Sequence, residues 1–66
     1  MHVRVEIYDV LGRRVSTLLE GLQPPGEVAV LWDGRVQDGR RVGAGPYFYR
    51  VEAGTATVAG AVVVLR

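Results

Sequence analysis

The sequence predicts an all-β fold, a small antiparallel β-sandwich of about six to seven short strands. Apolar and polar residues alternate with a period of two in several short runs, as they do in half-buried strands. Turn-forming Gly, Pro and Asp residues separate these runs at intervals of roughly 8 to 12 residues. No segment keeps the period of about 3.6 residues that marks an amphipathic helix. The chain has 66 residues, enough for one domain, which we place at 1–66.

The composition argues against several kinds of site. The chain has no Cys, which excludes disulfides and thiolate zinc sites. Its net charge is +1, so we expect no strong attraction to nucleic acid or to an anionic membrane. No apolar run approaches the roughly 20 residues of a membrane-spanning helix. We therefore predict no cofactor, no nucleic-acid partner and no membrane span.

The first third of the chain predicts two strands and a loop. Strict alternation of apolar and polar residues indicates a strand over 3–8, and the turn that follows it covers 9–12. A second strand is predicted over 13–19, with a short helix over 17–22 as the alternative. The residues at 20–26 include two Gly and two Pro and predict a loop.

The middle of the chain contains two Asp-Gly pairs that predict turns. A strand over 27–32 ends at the first pair, Asp33-Gly34. The second pair, Asp38-Gly39, lies between two short polar-apolar runs and predicts a tight hairpin with a primed turn.

The last third predicts two more strands. The residues at 43–46 break the chain, and the aromatic and β-branched residues at 47–53 favour a strand. Gly54 turns the chain into a final strand over 55–65, in which Gly60 predicts a bulge or a bend.

The candidate catalytic residues are isolated in the sequence. His2 is the only histidine and Ser16 the only serine, and neither has a neighbouring base or nucleophile. Asp9, Asp33 and Asp38 all lie in predicted turns, where an Asp side chain bonds to the backbone two residues on. A calcium site at the Asp-Gly turns is the alternative, although their spacing does not match the twelve-residue calcium loop. We therefore predict no catalytic site and no metal site.

Two other features suggest binding. Tyr47, Phe48 and Tyr49 suggest a platform for stacking sugars, but alternation places Phe48 on the opposite face from the two tyrosines. The end of the last predicted strand is apolar on both faces, which indicates either core and sheet edge or contact with another domain or subunit. This candidate interaction strand consists of Val62, Val63, Val64, Leu65 and Arg66.

Taken in order, these motifs resemble two related families. The run at 5–15, the block Trp32-Asp33-Gly34-Arg35, the pair Asp38-Gly39 and the triplet Gly45-Pro46-Tyr47 resemble the C-terminal sorting domains of type IX secretion cargo. They are equally similar to the Ig-like domain of the flagellar hook-capping protein. The residues that carry this structural motif are Gly12, Trp32, Asp33, Gly34, Asp38, Gly39, Gly45 and Tyr47.

The resemblance implies a non-catalytic module with an Ig-like form of the sandwich. Its first implication is a C-terminal sorting or anchoring module of a longer, exported bacterial protein, located outside the cell or on its surface and recognised by secretion machinery. The alternative is an Ig-like structural subunit or spacer that self-assembles through sheet edges in an extracellular filament or appendage. Separately from the resemblance, the aromatic residues at 47–49 leave a carbohydrate-binding accessory module as a lesser alternative. The expected partners are the secretion machinery, a neighbouring domain or subunit, or a second copy paired through an edge strand.

Overall fold

The computed structural model of the chain describes residues 1–24 and 30–65. These residues form one antiparallel sheet of four strands, β1 (His2–Tyr8), β2 (Arg14–Leu22), β3 (Gly45–Ala53) and β4 (Ala56–Val64). The order across the sheet is β2-β1-β3-β4, so β2 and β4 lie at its two edges. No described residue is helical, and the all-β, antiparallel prediction is confirmed.

The four strands match predicted ones, with differences at their ends. β2 continues through Leu22, which pairs with His2 of β1, so the alternative helix over 17–22 is wrong and the loop begins later than predicted. β3 begins at Gly45 and includes Pro46. A proline is tolerated there because β1 ends at Tyr8, opposite Phe48, and leaves no carbonyl beside Pro46 for a ladder bond.

The described residues hold four strands rather than six to seven. The strand predicted over 27–32 lies partly outside the described residues, and its described part, 30–32, belongs to no sheet. The hairpin predicted around Asp38-Gly39 forms, but its pairing is a single bridge between Arg35 and Arg41. Segment 30–42 is therefore irregular. Its first residues lie over one face of the sheet, and its hairpin lies against the edge of β2, where the N–H of Gln37 donates to the carbonyl of Val15.

One face of the sheet is apolar, and Val30 and Trp32 of segment 30–42 lie over it. Val3, Val5 and Ile7 of β1 are buried on it, as the alternation in the sequence predicts. Full burial of such a side chain stabilises the fold by about 1.5–3 kcal/mol. The cross-strand pairs place on this apolar face Val3, Val5 and Ile7 of β1, Tyr47, Tyr49 and Val51 of β3, and Val58, Gly60, Val62 and Val64 of β4.

The two edge strands differ in regularity. β2 shifts register twice against β1, opposite Val5/Glu6 and opposite Ile7/Tyr8. β4 pairs with β3 without a shift from Ala56 to Val64, so the bulge predicted at Gly60 is wrong. Gly60 lies directly beneath the ring of its cross-strand neighbour Tyr49, and a Cβ at Gly60 would overlap that ring. The glycine therefore makes room for an aromatic side chain.

Candidate interaction site

Trp32 of segment 30–42 packs against the sheet. Its ring meets the ring of Tyr47 edge to face, with centroids 5.2 Å apart and planes at 67°. The indole N–H donates to the carbonyl of Arg35 at 3.0 Å, and the Tyr47 hydroxyl donates to the carbonyl of Gly43 at 2.8 Å. Both rings are half-buried and both polar ends are hydrogen-bonded. The pair therefore acts as a packing contact between the two layers.

The other rings do not extend this pair into a stacking platform. Phe48 is 43% exposed and lies on the opposite face of β3 from Tyr47 and Tyr49. Tyr49 lies over the backbone of Gly60 on the apolar face. The three aromatic residues thus divide between two faces, as their alternation predicts.

Two glycines of the structural motif direct the chain around Trp32. Gly34 is buried, has a φ of +76°, and its carbonyl accepts a hydrogen bond from the Val42 N–H at 2.9 Å. Gly45 opens β3 opposite Val64. The end of segment 30–42 thus lies beside its own beginning, where Val42 is hydrogen-bonded to Gly34, before the chain enters β3.

The turn between β1 and β2 is a type I turn completed by a glycine. The N–H of Asp9 donates to the carbonyl of Arg13 at 2.9 Å, and the N–H of Gly12 donates back to the carbonyl of Asp9 at 3.0 Å. Gly12 has a φ of +80°, while the two central residues of the turn have negative φ. This three-residue loop is a common hairpin connection.

The hairpin at Asp38 repeats this geometry and differs from the prediction. The N–H of Val36 donates to the carbonyl of Arg40 at 2.8 Å, and the N–H of Gly39 donates to the carbonyl of Val36 at 3.0 Å. A primed turn would need positive φ at Asp38 as well as at Gly39, and here Asp38 has negative φ. The longer loop needs one left-handed residue instead of two, which avoids a cost of about 1–2 kcal/mol at a non-glycine residue.

The carboxylates of the two turns are held by arginine and backbone N–H groups. Asp9 Oδ1 accepts from the N–H groups of Leu11 and Arg13 at 2.9 and 3.0 Å, and Oδ2 accepts from Arg13 Nε at 2.9 Å. Asp38 accepts from the N–H and Nε of Arg40 at 3.1 and 2.8 Å. The backbone N–H groups of Arg13 and Arg40 are the largest cause that lowers the pKa of Asp9 and Asp38, respectively.

Asp33 is exposed, directly precedes a bend at Gly34, and contacts the Arg35 guanidinium at 3.5 Å. Within residues 1–24 and 30–65 no group of three or more His, Asp or Glu side chains is arranged to hold a metal ion. Asp33 and Asp38 therefore each meet an arginine, and the structure does not gather them into a shared ligand set.

A charged cluster on the opposite face of the sheet contains a residue that the sequence does not single out. Glu6 is 6% exposed, although it lies on the polar side of β1. The Tyr8 hydroxyl donates to it at 3.0 Å, and Arg14 Nη1 lies 3.4 Å from it. Burial of Tyr8, and then its hydrogen bond to Glu6, raise the pKa of the phenol. Cross-strand pairing adds Arg50 opposite Glu6.

The edge of β2 is closed by Gln37, another residue that the sequence does not single out. The backbone N–H of Gln37 donates to the carbonyl of Val15 at 3.1 Å. Its side-chain oxygen accepts from the N–H of Thr17 at 2.9 Å. We call this pair of bonds the Gln37 clasp. Together with the two register shifts and the charged Glu20, it occupies or interrupts the outer side of β2.

The edge of β4 has none of these features among the described residues. Its nine residues carry no charge, it keeps a regular register, and it contains no proline. Val58 and Val63 are 58% and 66% exposed, and Leu65 just beyond the strand is 84% exposed. Within the candidate interaction strand, the side chains of Val62 and Val64 lie on the apolar face. A groove of about 650 Å³ beneath Val30 and Trp32 is lined by all four residues at 62–65. Arg66 lies outside the described residues.

The direction of the β4 backbone groups follows from its turn. Ala53 and Ala56 flank the tight turn at Gly54-Thr55 and form a hydrogen-bonded pair. Bonded and non-bonded pairs alternate along antiparallel strands, so every second residue of β4 turns its N–H and C=O away from β3. These outward groups belong to Thr57, Ala59, Ala61 and Val63. The N–H of Gly54 donates to the carbonyl of His2 in β1 at 3.0 Å, which agrees with this alternation of bonded and non-bonded pairs.

The fold defines a small all-β module built on one four-stranded antiparallel sheet. A family model described as the FlgD Ig-like domain matches residues 1–57, and the chain belongs to this family. Searches of curated proteins and of solved structures found no match. The flagellar part of the predicted resemblance is thereby confirmed, whereas the type IX sorting part stays a prediction. The match ends at Thr57, so most of β4 lies beyond it.

The part of the chain that the structure describes forms no helix of sufficient length and apolarity to cross a membrane.

Proposed function

We propose that the chain is a non-catalytic, Ig-like structural module that makes protein–protein contacts in the hook-capping assembly of a bacterial flagellum, outside the cell. Membership of the FlgD Ig-like domain family supports the flagellar setting. The observation that carries the contact role is the uncharged, regular edge strand β4.

An edge strand presents unpaired N–H and C=O groups that invite pairing with another chain. Proteins that do not use such an edge block it with charges, prolines, bulges or a covering segment. This chain blocks β2 with the Gln37 clasp, two register shifts and charged residues. The contrast between the two edges of one sheet supports a contact role for β4.

The chemistry of the described residues favours a structural role over catalysis. The turn carboxylates Asp9 and Asp38 are held by arginine and backbone groups, and Glu6 accepts from Tyr8 and meets Arg14. Ser16 is buried opposite Ile7 on the sheet. No described Asp, Glu, His or Ser forms the nucleophile–base pair that covalent catalysis requires.

The sorting role at a type IX pathway lacks comparable support, because the matching family model is the flagellar one. The carbohydrate-binding alternative lacks a common platform, because Phe48 lies on the opposite face from Tyr47 and Tyr49.

The proposal is tested in the bacterium that makes the protein. Ala61→Pro removes one outward N–H of β4 without removing a bond to β3, and Ala61→Thr is the matched control that keeps the N–H. We expect electron microscopy to show loss of assembled hooks with the proline variant and normal hooks with the threonine variant. Normal hooks and filaments after deletion of the whole gene would overturn the proposed function.

A further inference from the structure

We propose that the partner of the β4 edge is a second copy of this chain, and that two copies join by antiparallel pairing of β4 with β4 in full register about Gly60. This inference rests on the proposed function, because it names the partner of the same edge.

The full register satisfies the outward backbone groups of both copies. When 56–64 overlaps completely with its antiparallel copy, Gly60 meets Gly60, Ala59 meets Ala61, and Thr57 meets Val63. Each outward residue then faces an outward residue of the second copy, which is the arrangement that forms a hydrogen-bonded pair. A shift of one residue would set outward groups against inward ones and break this match.

The side chains of β4 also suit self-pairing. A two-fold axis brings each strand against its own sequence, so any charge in β4 would lie near its own copy, and β4 has none. The centre of the strand, Ala59-Gly60-Ala61, is small on both faces. On the apolar face, the 58% exposed Val58 would pack against Val62 of the second copy and be covered.

Because the edge of β2 is obstructed and the edge of β4 is not, the assembly is a closed pair, a dimer that adds no further copies. An open filament of sheets would join β4 of one copy to β2 of the next, which is a head-to-tail contact. The Gln37 clasp occupies the carbonyl of Val15 and the N–H of Thr17 on that edge of β2. Pairing of β4 with β4 uses the open β4 edges of both copies at once. Among the described strands, it leaves outward only the β2 edges, which carry the Gln37 clasp and the register shifts.

Cysteine cross-linking tests the register, since the chain has no Cys of its own. One preparation carries Ala59→Cys and the other carries Ala61→Cys. In the proposed register these positions face each other with Cα atoms about 5.5 Å apart, which a disulfide spans. Two copies of the same variant place their cysteines diagonally, about 7–8 Å apart.

We expect mild oxidation to give disulfide-linked dimers in the mixture of the two variants and several-fold fewer in either variant alone. Dimers in one variant alone that equal those in the mixture would overturn the register. The absence of dimers in every sample would overturn self-pairing. Circular dichroism of each reduced variant confirms that the chain still folds.

Light scattering of the unmodified chain over a range of concentrations tests the closed pair. We expect a mass that rises with concentration to twice that of the monomer and stops there, and Ala61→Pro to stay monomeric. A strictly monomeric chain, or growth past the dimer, would overturn the inference. If the chain is monomeric while Ala61→Pro still abolishes hook assembly in cells, the proposed function stands and the edge binds a different protein.

Discussion

The ionisation of the Asp9 and Asp38 side chains makes the stability of the protein depend on pH in the acid range. Each carboxylate accepts backbone N–H groups that favour its ionised form, and each pKa is lowered from the ordinary value of 3.8. As the pH falls, the unfolded chain therefore takes up protons at these positions before the folded chain does. The stabilisation is present above about pH 4 and is lost as the pH falls through the lowered pKa values.

We therefore expect the free energy of unfolding to fall below about pH 4, and to fall less steeply in Asp9→Asn. The Asn oxygen still accepts the N–H groups of Leu11 and Arg13 but does not titrate in this range. Urea unfolding at a series of pH values measures the slope. An Asp9→Asn chain with the same slope as the parent would show that this carboxylate does not control the acid transition.

Substitution of Gly39 tests the geometry of the hairpin turn at Asp38-Gly39. Its φ is +95°, and nothing lies within 4 Å of the position that a Cβ would occupy. Gly39→Ala therefore strains the backbone without a clash, and we expect a loss of about 1–2 kcal/mol in the free energy of unfolding. Gly43→Ala is the control, because Gly43 has equal space and no left-handed φ. Equal stability of the two variants in urea would contradict the assigned turn.

Some single residues could be assigned from the sequence and others could not. The alternation at 3–8 identifies Val3, Val5 and Ile7 as core, and the structure buries all three. The same alternation assigns Glu6 to the solvent, yet cross-strand neighbours on β2 and β3 bury it. The Gln37 clasp forms because the hairpin at 36–40 packs against β2, which is distant in the sequence. A local sequence pattern does not show which strand a hairpin packs against.

At the scale of elements, the strands were easier to predict than the turns that join them. Period-two alternation marks β1, and the β-branched and aromatic residues mark β3, because both signals reflect burial on one face of a pleated sheet. The turn at Asp38-Gly39 was located correctly but assigned the wrong type. An Asp-Gly pair fits two loop lengths, and the cost of positive φ at Asp38 decides between them.

Substitution of Trp32 tests how much the contact between segment 30–42 and the sheet contributes to stability. Trp32→Ala removes the packing against Tyr47 and the bond to the Arg35 carbonyl. The ring is half-buried, so we expect a loss of about 3 kcal/mol, the lower end of the range for such truncations. Circular dichroism measures unfolding, since the variant loses the only Trp.

Leu31→Ala is the neighbouring control for this prediction, because Leu31 is 96% exposed, and we expect its stability to stay within about 0.5 kcal/mol of the parent. If Trp32→Ala unfolds at the same denaturant concentration as Leu31→Ala, the segment is held to the sheet by other contacts.

At the scale of the whole molecule, the two edges of the sheet should differ in hydrogen exchange. The Thr17 amide lies on the outer side of β2 but donates to Gln37. Met1 and Gln23 exchange hydrogen bonds, so the alternation along β2 turns the Glu20 amide outward as well. We expect the Thr17 amide to exchange more slowly than that of Glu20, and to lose this protection in Gln37→Ala.

Gln37→Glu is the matched variant, because it keeps a side-chain oxygen that can accept from Thr17. Amide exchange followed by NMR measures all three chains. Fast exchange at Thr17 in the parent, or unchanged exchange in Gln37→Ala, would show that the clasp does not close the edge of β2.

The order of strands in the whole sheet was not predictable from the sequence. Local patterns identify strands but do not state which strand lies beside which, and β1 pairs with β3 across the length of the chain. The family match supports the Ig-like class, and the structure supplies the arrangement that leaves β4 at an edge.

The strand order divides the sheet into two local hairpins that meet along one seam, between β1 and β3. Each hairpin closes through a short turn and can form in about 1–10 μs. Residues that meet across the seam are roughly 40 to 50 positions apart in the chain, for example Ile7 with Tyr49. Non-local pairing slows folding because a long loop must close before its contacts form. We therefore expect docking of the two hairpins to be the slow step of folding, which would leave the apolar face of each hairpin open to water until it is complete.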